Sequence, residues 1–189
     1  MITYIFLLIC LSVFVYIRFI CKDDTLDTAV RLGAFFPPYI KTKNQYWRFI
    51  TCHFIHIDFL HFFMNAYAFY DLGGFFETIL GEIPYLYLII ISMFLSALLC
   101  YSASEISERS QNTITFGASG VVYGFFGAIC ALAFLQGDWY MELFQNFLPV
   151  LAINFIYTIF NPQISKTGHL GGFIGGILGI VVLMAMHIL

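Results

Sequence analysis

Residues 116–135 read FGASGVVYGFFGAICALAFL, and residues 168–189 read GHLGGFIGGILGIVVLMAMHIL. Each stretch is long and apolar enough to cross a bilayer as a helix, which takes about 20 residues. Each begins with one polar side chain, Ser119 in the first and His169 in the second. Polar groups at membrane depth are costly to keep, so they indicate a functional site. A serine and a histidine in this setting suggest a nucleophile and its general base.

The composition of the whole chain is that of a membrane protein. Of its 189 residues, 61% are hydrophobic and only 10% are charged, whereas a soluble domain carries about 25% charged residues. So few charges cannot cover a surface that faces water, and the outer surface must therefore face lipid. Length and composition predict a single membrane domain over residues 1–189. A net charge of −3 without a basic cluster argues against a nucleic-acid partner.

Hydrophobic segments and the polar residues between them predict an all-α bundle of six transmembrane helices. The predicted spans are residues 1–20, 59–76, 83–103, 116–135, 139–160 and 168–189. A long loop from residue 21 to about 55 separates the first two spans and holds most of the Lys and Arg residues. The first span lacks a positively charged start and a small-residue cleavage site, so it is expected to be a retained helix rather than a signal peptide.

Glycines follow both polar residues at helical spacing. They are Gly120, Gly124 and Gly127 in one span and Gly171, Gly175 and Gly179 in the other, with Gly172 and Gly176 beside them. Small residues at this spacing let helix backbones approach closely, and ordinary helix packing would by itself explain them. Because Ser119 precedes one glycine face and His169 precedes the other, tight packing is expected to bring the hydroxyl and the imidazole within hydrogen-bond distance.

The surroundings of Ser119 fit a nucleophile. If the helix begins near Gly117, Ser119 lies in its first turn, where free N–H groups favour a developing negative charge. Tyr123 follows one turn later, so its ring can pack beneath that of His169; a lone aromatic residue would otherwise be assigned to the core.

His61 and Asn65 lie four residues apart and therefore on one face of their helix. Both side chains can donate hydrogen bonds. Buried donors directed at an oxyanion contribute about 10²–10³ in rate each. A polar pair that is bonded across helices for packing is an equally good explanation when these two residues are considered alone.

Together these residues resemble the motifs of rhomboid intramembrane serine proteases. Residues 47–51, WRFIT, followed by His56, His61 and Asn65, are similar to the second-helix signature of that family. Residues 117–124, GASGVVYG, resemble its nucleophile motif, and residues 168–172, GHLGG, resemble its base motif. The match covers nearly the whole chain in the order of the family, and the three motifs together are highly specific.

The resemblance implies a Ser/His dyad without a carboxylate, in which Ser119 is the nucleophile and His169 the general base. It implies an oxyanion site formed by His61, Asn65 and the backbone N–H of Ser119. It implies no metal or organic cofactor. The expected partners are the lipid bilayer and single-span membrane-protein substrates, which are cleaved near segments where the helix is destabilised.

Further positions match the family in supporting roles. His56 matches a position near the oxyanion region, and Gly117 opens the nucleophile motif. Arg48 and Glu77 match positions that brace the long loop and the inner end of the second helix. These roles follow from the resemblance alone.

Other protease classes fit the sequence less well. An intramembrane aspartyl protease would use Asp71 and Asp138, but residues 135–138 read LQGD instead of Gly-x-Gly-Asp. A zinc protease would need His-Glu-x-x-His, which is absent. His53, His56 and His61 with Asp58 do not share one helical face. The five cysteines follow no metal or disulfide pattern and are expected to be buried free thiols.

A non-catalytic protein is the alternative from a different functional class. A rhomboid-like protein that binds client helices, or a small transporter, would also carry polar groups and glycine-broken helices at membrane depth. Such a binder would keep its phenotype without Ser119, whereas a protease would not.

The orientation in the membrane is subject to two opposing indications. All eight Lys and Arg residues lie on the side of the first, third and fifth loops, which the positive-inside rule places in the cytoplasm. The resemblance implies the reverse, with the active site opening toward the exterior, and we follow it. The small size and the lack of a targeting extension favour a bacterial inner membrane. The sequence does not indicate an oligomeric state.

Overall fold

The computed structural model describes residues 1–189, and the chain folds into helices without a β-strand. In chain order the elements are α1 Ile2–Val15, continued by a π-helical turn Tyr16–Ile20, α2 Thr25–Leu32, α3 Pro37–Lys43, α4 Arg48–Thr51, continued by a 3₁₀ turn Cys52–Phe54, α5 Phe59–Leu80, α6 Glu82–Ile106, α7 Glu108–Gln111, α8 Ser119–Gln136, α9 Asp138–Phe160 and α10 Lys166–Ala185. The predicted all-α fold is confirmed.

Five helices are long and apolar enough to cross a membrane, namely α1 with its π-helical turn, α6, α8, α9 and α10. The helix α5 has 22 residues, so its length would also suffice. It carries His61, Asn65 and Asp71, and its composition does not place it among the five. The polar residues that suggest function in α5 are therefore the same residues that reduce its hydropathy.

The helix α8 begins three residues later than predicted, at Ser119 instead of residue 116. Gly117 has a φ angle of 116°, in the left-handed region that glycine adopts without strain. This turn ends the preceding loop and makes Ser119 the first helical residue. The helix α10 starts earlier than predicted, at Lys166, because the Ser165 hydroxyl caps it by accepting from the N–H of Gly168 at 3.1 Å.

The long connection between α1 and α5 contains three short helices, which the sequence analysis did not predict. Asp24 caps α2 by accepting hydrogen bonds from the N–H groups of Leu26 and Asp27. A single β-bridge between Phe35 and Thr115 joins this connection to the segment just before α8. The connection therefore reaches the loop that carries Ser119.

The helix α10 packs between α6 and α8 through two different stripes of glycine. A Cβ atom at Gly172 or Gly176 would overlap the carbonyl groups of Gly120 and Gly124 in α8. The stripe Gly171, Gly175, Gly179 contacts α6 instead. Adjacent residues point about 100° apart around a helix, so the neighbouring pair of glycines faces the other partner.

The helix α9 is held much more loosely, since Thr158 is its only buried residue. Several of its aromatic and aliphatic side chains pack partly against the core, but most of its surface is open.

All five cysteines are free thiols. Cys10, Cys52 and Cys100 are buried, as expected. Cys21 and Cys130 are only half-buried, which corrects the expectation that all five lie in the interior.

Candidate active site

The first residue of α8 and the first turn of α10 meet at the site. The Oγ atom of Ser119 lies 2.9 Å from Nε2 of His169, a distance at which the hydroxyl can donate to the imidazole. The two residues are 50 positions apart in the chain, and the glycine contacts between α8 and α10 bring them together. Ser119 is half-buried and His169 is buried.

The imidazole of His169 contacts Tyr123 through its ring face and Thr158 through Nδ1. The Tyr123 ring stacks on it with ring centroids 4.0 Å apart and an interplanar angle of 20°. The Nδ1 atom of His169 lies 2.9 Å from Oγ1 of Thr158, which in turn lies 2.7 Å from the Tyr123 hydroxyl. Thr158 was not predicted from the sequence. A threonine near the end of α9 is a weak signal, because this helix carries other polar residues such as Gln145, Asn146 and Asn154.

The loop before Ser119 is anchored by the long connection. The N–H of Gly117 donates to the Cys52 carbonyl at 2.9 Å, and the N–H of Ala118 donates to Nε2 of His56 at 3.3 Å. His56 is therefore protonated on Nδ1, and this atom has no hydrogen-bond partner. Burial, together with the nearby His61, lowers the pKa of His56 to about 3. His56 is thus a neutral acceptor for the backbone of the turn before Ser119.

His61 and Asn65 both face the turn at Gly117. A Cβ atom on Gly117 would lie 2.7 Å from Cε1 of His61 and 3.8 Å from Nδ2 of Asn65, so only glycine leaves room for them. Asp58 caps α5 by accepting from the N–H of His61 at 2.9 Å, which fixes His61 in the first turn. One N–H of the Asn65 amide donates to the His61 carbonyl at 3.0 Å.

Arg48 binds three parts of the long connection and makes no hydrogen bond to Ser119 or His169. Its guanidinium donates to the carbonyls of Val30 at 2.7 Å and Ala34 at 2.6 Å, and to the Gln45 side chain at 2.8 and 2.7 Å. Burial lowers the pKa of Arg48. No carboxylate pairs with it, so the backbone carbonyls take the place of a counter-charge.

Glu77 lies toward the other end of α5 from His61. Its carboxylate accepts hydrogen bonds from the N–H of Ile2 at 2.6 Å, from the N–H of Thr3 at 3.1 Å and from the amino group of Met1. These bonds join the end of α5 to the first turn of α1. Glu77 thus acts on helix packing and does not approach Ser119.

A cavity of about 350 Å³ opens between the α7–α8 and α9–α10 connections. Thr115 and Thr167 line it, and they precede Ser119 and His169 by four and two residues. Ser119 and His169 themselves are not part of its lining. Its lining includes the charged side chains of Arg109 and Lys166.

The residues that a metalloprotease or an aspartyl protease would use do not form a site. No three His, Cys, Asp or Glu side chains form a group that could hold a metal ion. Asp71 and Asp138 are both exposed, one on the surface of α5 and the other at the start of α9.

Comparison with known proteins places the helical bundle in a family. The Rhomboid domain matches residues 43–186. The chain is 27% identical over 154 residues to the rhomboid protease GlpG of Haemophilus influenzae, which covers 76% of this chain and 72% of that protein. It is 24% identical over 180 residues to the rhomboid protease GluP of Bacillus subtilis, covering 92% of this chain and 33% of that protein.

A plant relative is also similar. RHOMBOID-like protein 1 of Arabidopsis thaliana is 30% identical over 161 residues, covering 83% of this chain and 40% of that protein. The chain thus spans most of the Haemophilus relative but less than half of the Bacillus and Arabidopsis relatives. It belongs to the rhomboid family and is an integral, multi-pass membrane protein.

Proposed function

We propose that this chain is an intramembrane serine endopeptidase that hydrolyses peptide bonds in or near transmembrane segments of membrane proteins. The observation that carries the proposal is the 2.9 Å contact between Oγ of Ser119 and Nε2 of His169. It is supported by the relatives that are named rhomboid proteases. In this proposal residues 1–189 act as one membrane domain.

The dyad performs acyl transfer with a balanced movement of protons. His169 takes the hydroxyl proton on Nε2 while Oγ of Ser119 attacks the scissile carbonyl carbon, which gives a tetrahedral oxyanion. His169 then returns the proton to the leaving amine, and the peptide C–N bond breaks. A water molecule next gives a proton to His169 and attacks the acyl-enzyme, and the carboxylic acid product leaves as Oγ regains its proton.

The oxyanion site consists of the backbone N–H of Ser119 with the side chains of His61 and Asn65. Ser119 is the first residue of α8, so its N–H lacks a partner within the helix and lies at the positive end of the helix dipole. Asn65 keeps one amide N–H that its own helix does not use. Both side chains face the turn at Gly117, two residues before Ser119.

The substrate class follows from the depth of the site. A transmembrane helix hides its amides in hydrogen bonds, so a substrate segment must unwind before Ser119 can reach a carbonyl. We therefore expect single-span proteins with glycine or another helix breaker near the bond to be cleaved fastest. Equal cleavage of an unbroken poly-Leu span would contradict this preference.

The test is cleavage of a defined transmembrane substrate by the purified protein in liposomes. Ser119→Ala and His169→Ala are each expected to remove nearly all turnover. The control is Ser12→Ala, because Ser12 is exposed on α1 and only bonds the carbonyl of Leu8 in its own helix. Rates of the dyad variants within about tenfold of the unmodified protein, roughly 1.4 kcal/mol of barrier, would reject the dyad.

The same assay separates an enzyme from a non-catalytic binder of client helices. A protease with Ser119→Ala should still bind substrate helices while it no longer cleaves them. A binder would show no cleavage before the change and an unaltered phenotype after it. Asn65→Ala should reduce turnover about 10²–10³-fold without reducing substrate binding, which a packing role would not produce.

We further propose a bacterial inner membrane as the location, with the dyad opening toward the exterior and the C-terminus in the cytoplasm. Reporter fusions at the C-terminus test the orientation. A C-terminus outside the cytoplasm would mean that the positive charges of the loops set the orientation.

A further inference from the structure

Thr158 stands apart from every other residue of α9. It is 5% exposed and is the only buried residue of that helix. Its hydroxyl lies between two groups of the neighbouring helices, 2.9 Å from Nδ1 of His169 and 2.7 Å from the hydroxyl of Tyr123. The one buried side chain of a largely exposed helix is thus a polar one.

Two exposed threonine hydroxyls in helices behave differently. Thr42 donates to the Pro38 carbonyl at 2.7 Å and Thr78 donates to the Gly74 carbonyl at 2.8 Å, each four residues earlier in the chain. This bond within the helix is the ordinary one for a threonine in a helix. Thr158 instead directs its oxygen across two helix interfaces, which indicates a role beyond its own helix.

The imidazole of His169 can act as a base only in one of its two neutral forms. The proton must be on Nδ1 so that the lone pair of Nε2 faces the Ser119 hydroxyl. With the proton on Nε2 instead, the imidazole would donate to Ser119 and could not accept its proton. Which form is present is set by the partner of the other nitrogen.

We propose that Thr158 is a positioning residue that accepts a hydrogen bond from Nδ1–H of His169 and so holds the imidazole in the form that can activate Ser119. This inference rests on the proposed function. The hydroxyl proton of Thr158 has an acceptor in the Tyr123 oxygen, which leaves a lone pair of Thr158 for His169. A serine–histidine dyad is thereby extended by a hydroxyl from a third helix, in the position where a carboxylate would complete a triad.

The bond also continues to act during the reaction. After His169 has taken the serine proton, both ring nitrogens carry protons and the positive ring needs an acceptor at Nδ1. Thr158 is already in place at 2.9 Å. A neutral hydroxyl stabilises this cation less than a carboxylate does, so the expected contribution is moderate.

The principal variant is Thr158→Val, which keeps the shape of the side chain and removes the hydroxyl. We expect kcat to fall at least tenfold while KM changes little, since the imidazole loses its orientation but the substrate contacts remain. Thr158→Ser restores a hydroxyl at the same position and should return kcat to within about threefold of the unmodified protein. The measurement is cleavage of a defined transmembrane substrate in liposomes.

The matched control is Thr3→Val. Thr3 is also buried and bonds a tyrosine hydroxyl, that of Tyr85 at 2.9 Å, at the opposite end of the molecule. Thr3→Val should lower the melting temperature without lowering kcat. If Thr3→Val and Thr158→Val reduced kcat equally, Thr158 would matter only for stability and the proposal would be overturned.

A spectroscopic measurement tests the inference without relying on proteolysis. Nitrogen-15 chemical shifts of labelled histidine distinguish Nδ1–H from Nε2–H, and His169→Gln identifies the signal. We expect Nδ1–H in the unmodified protein and a mixture of both forms in Thr158→Val. An unchanged pure Nδ1–H signal in Thr158→Val would overturn the inference. An absence of Ser119-dependent cleavage together with a changed signal would instead reject only the proposed function.

Discussion

The helices α10 and α9 are neighbours in the chain and differ sharply in how they are held. Half of the α10 span is buried, whereas 6% of the α9 span is buried. The helix α10 has five glycines in contact with α6 and α8, and α9 contains no glycine. Between helices in lipid there is little hydrophobic driving force, so close backbone approach decides which helices pack tightly.

The closely packed helix α10 and the more exposed helix α9 contribute different residues to the site. The proposed nucleophile and base, Ser119 and His169, lie on the two helices that pack through glycine contacts, where close backbone approach fixes their distance. Thr158 comes from the loosely held helix and reaches His169 through a hydrogen bond alone. The distance between Ser119 and His169 is therefore set by the closely packed helices α8 and α10, whereas the contact from Thr158 comes from the more exposed helix α9.

The largest expected effect on stability comes from disrupting the packing between α8 and α10. Gly176→Ala places a Cβ atom on the Gly124 carbonyl, and backbone cannot move aside as a side chain can. We expect a loss of about 4 kcal/mol or more in unfolding free energy, at the upper end for one substitution, together with loss of cleavage. Unfolding in mixed micelles and substrate cleavage measure the two effects.

The control for this substitution is Gly74→Ala on α5, where an added Cβ meets nothing within 4 Å. Alanine there should be neutral or stabilise by about 0.5–1 kcal/mol, because glycine is a poor helix former. Equal destabilisation by both substitutions would mean that glycine flexibility, and not close packing, is what α10 requires.

The second comparison removes the same atoms from each helix. Ile180 on α10 is fully buried and Ile153 on α9 is 66% exposed. Ile180→Ala should lower the unfolding free energy by about 3 kcal/mol, since it leaves a cavity in the core. Ile153→Ala should change it by less than about 0.5 kcal/mol. A similar loss for both substitutions would show that α9 packs more tightly than the structure indicates.

A lower pH is a third way to destabilise the packing around α6 and α8. His53 lies in the connection before α5, bonds the Met93 carbonyl of α6 at 3.0 Å and touches Gly120 of α8. Burial lowers its pKa to about 4 from the ordinary 6.5. The folded form therefore keeps His53 neutral, while the unfolded chain binds a proton below about pH 6.5. This contribution to stability is present above pH 6.5 and is lost as the pH falls toward 4.

The measurement is the unfolding free energy from pH 7 to pH 5, for the unmodified protein and for His53→Gln. Each histidine whose pKa is lowered on folding changes the slope of the unfolding free energy against pH by about 1.4 kcal/mol per pH unit. The slope of the unmodified protein should exceed that of His53→Gln by about this amount below pH 6. Parallel pH dependences would show that His53 takes up its proton in the folded state.

The sequence was sufficient to single out the polar candidates for the site because its signals there are local; their catalytic roles stay predictions. Apolar runs of about 20 residues, interrupted by Ser119, His169, His61 and Asn65, can be recognised without knowledge of tertiary contacts. The left-handed turn at Gly117, which moves the start of α8 to Ser119, depends on backbone angles that a run of apolar letters does not encode.

Other features depend on how helices rotate against each other. The sequence shows two adjacent stripes of glycine on α10 but not which stripe faces α8, since a rotation of about 100° exchanges them. Thr158 was missed for a similar reason. Thr158 and Thr78 are the same residue type. Only tertiary packing determines that Thr78 donates to a carbonyl of its own helix while Thr158 bonds to His169.

The smallest expected effect sharpens the comparison between the two helices. Tyr123→Phe keeps the ring that stacks on His169 and removes the hydroxyl that bonds Thr158. A hydrogen bond contributes about 0.5–1.5 kcal/mol net, so kcat should fall about two- to tenfold, less than in Thr158→Val. The measurement is again cleavage of a defined transmembrane substrate in liposomes.

Hydrogen exchange in Tyr123→Phe shows where the lost bond acts. Amides near Thr158 should exchange faster, because α9 has no other buried residue to hold its end, while amides of α10 should keep their protection. Tyr85→Phe removes the corresponding hydroxyl from the Thr3 pair and should leave both kcat and α9 unchanged. If Tyr123→Phe weakened α10 as much as α9, the two helices would form one cooperative unit, and the contrast between a locked pair and an open third helix would be wrong.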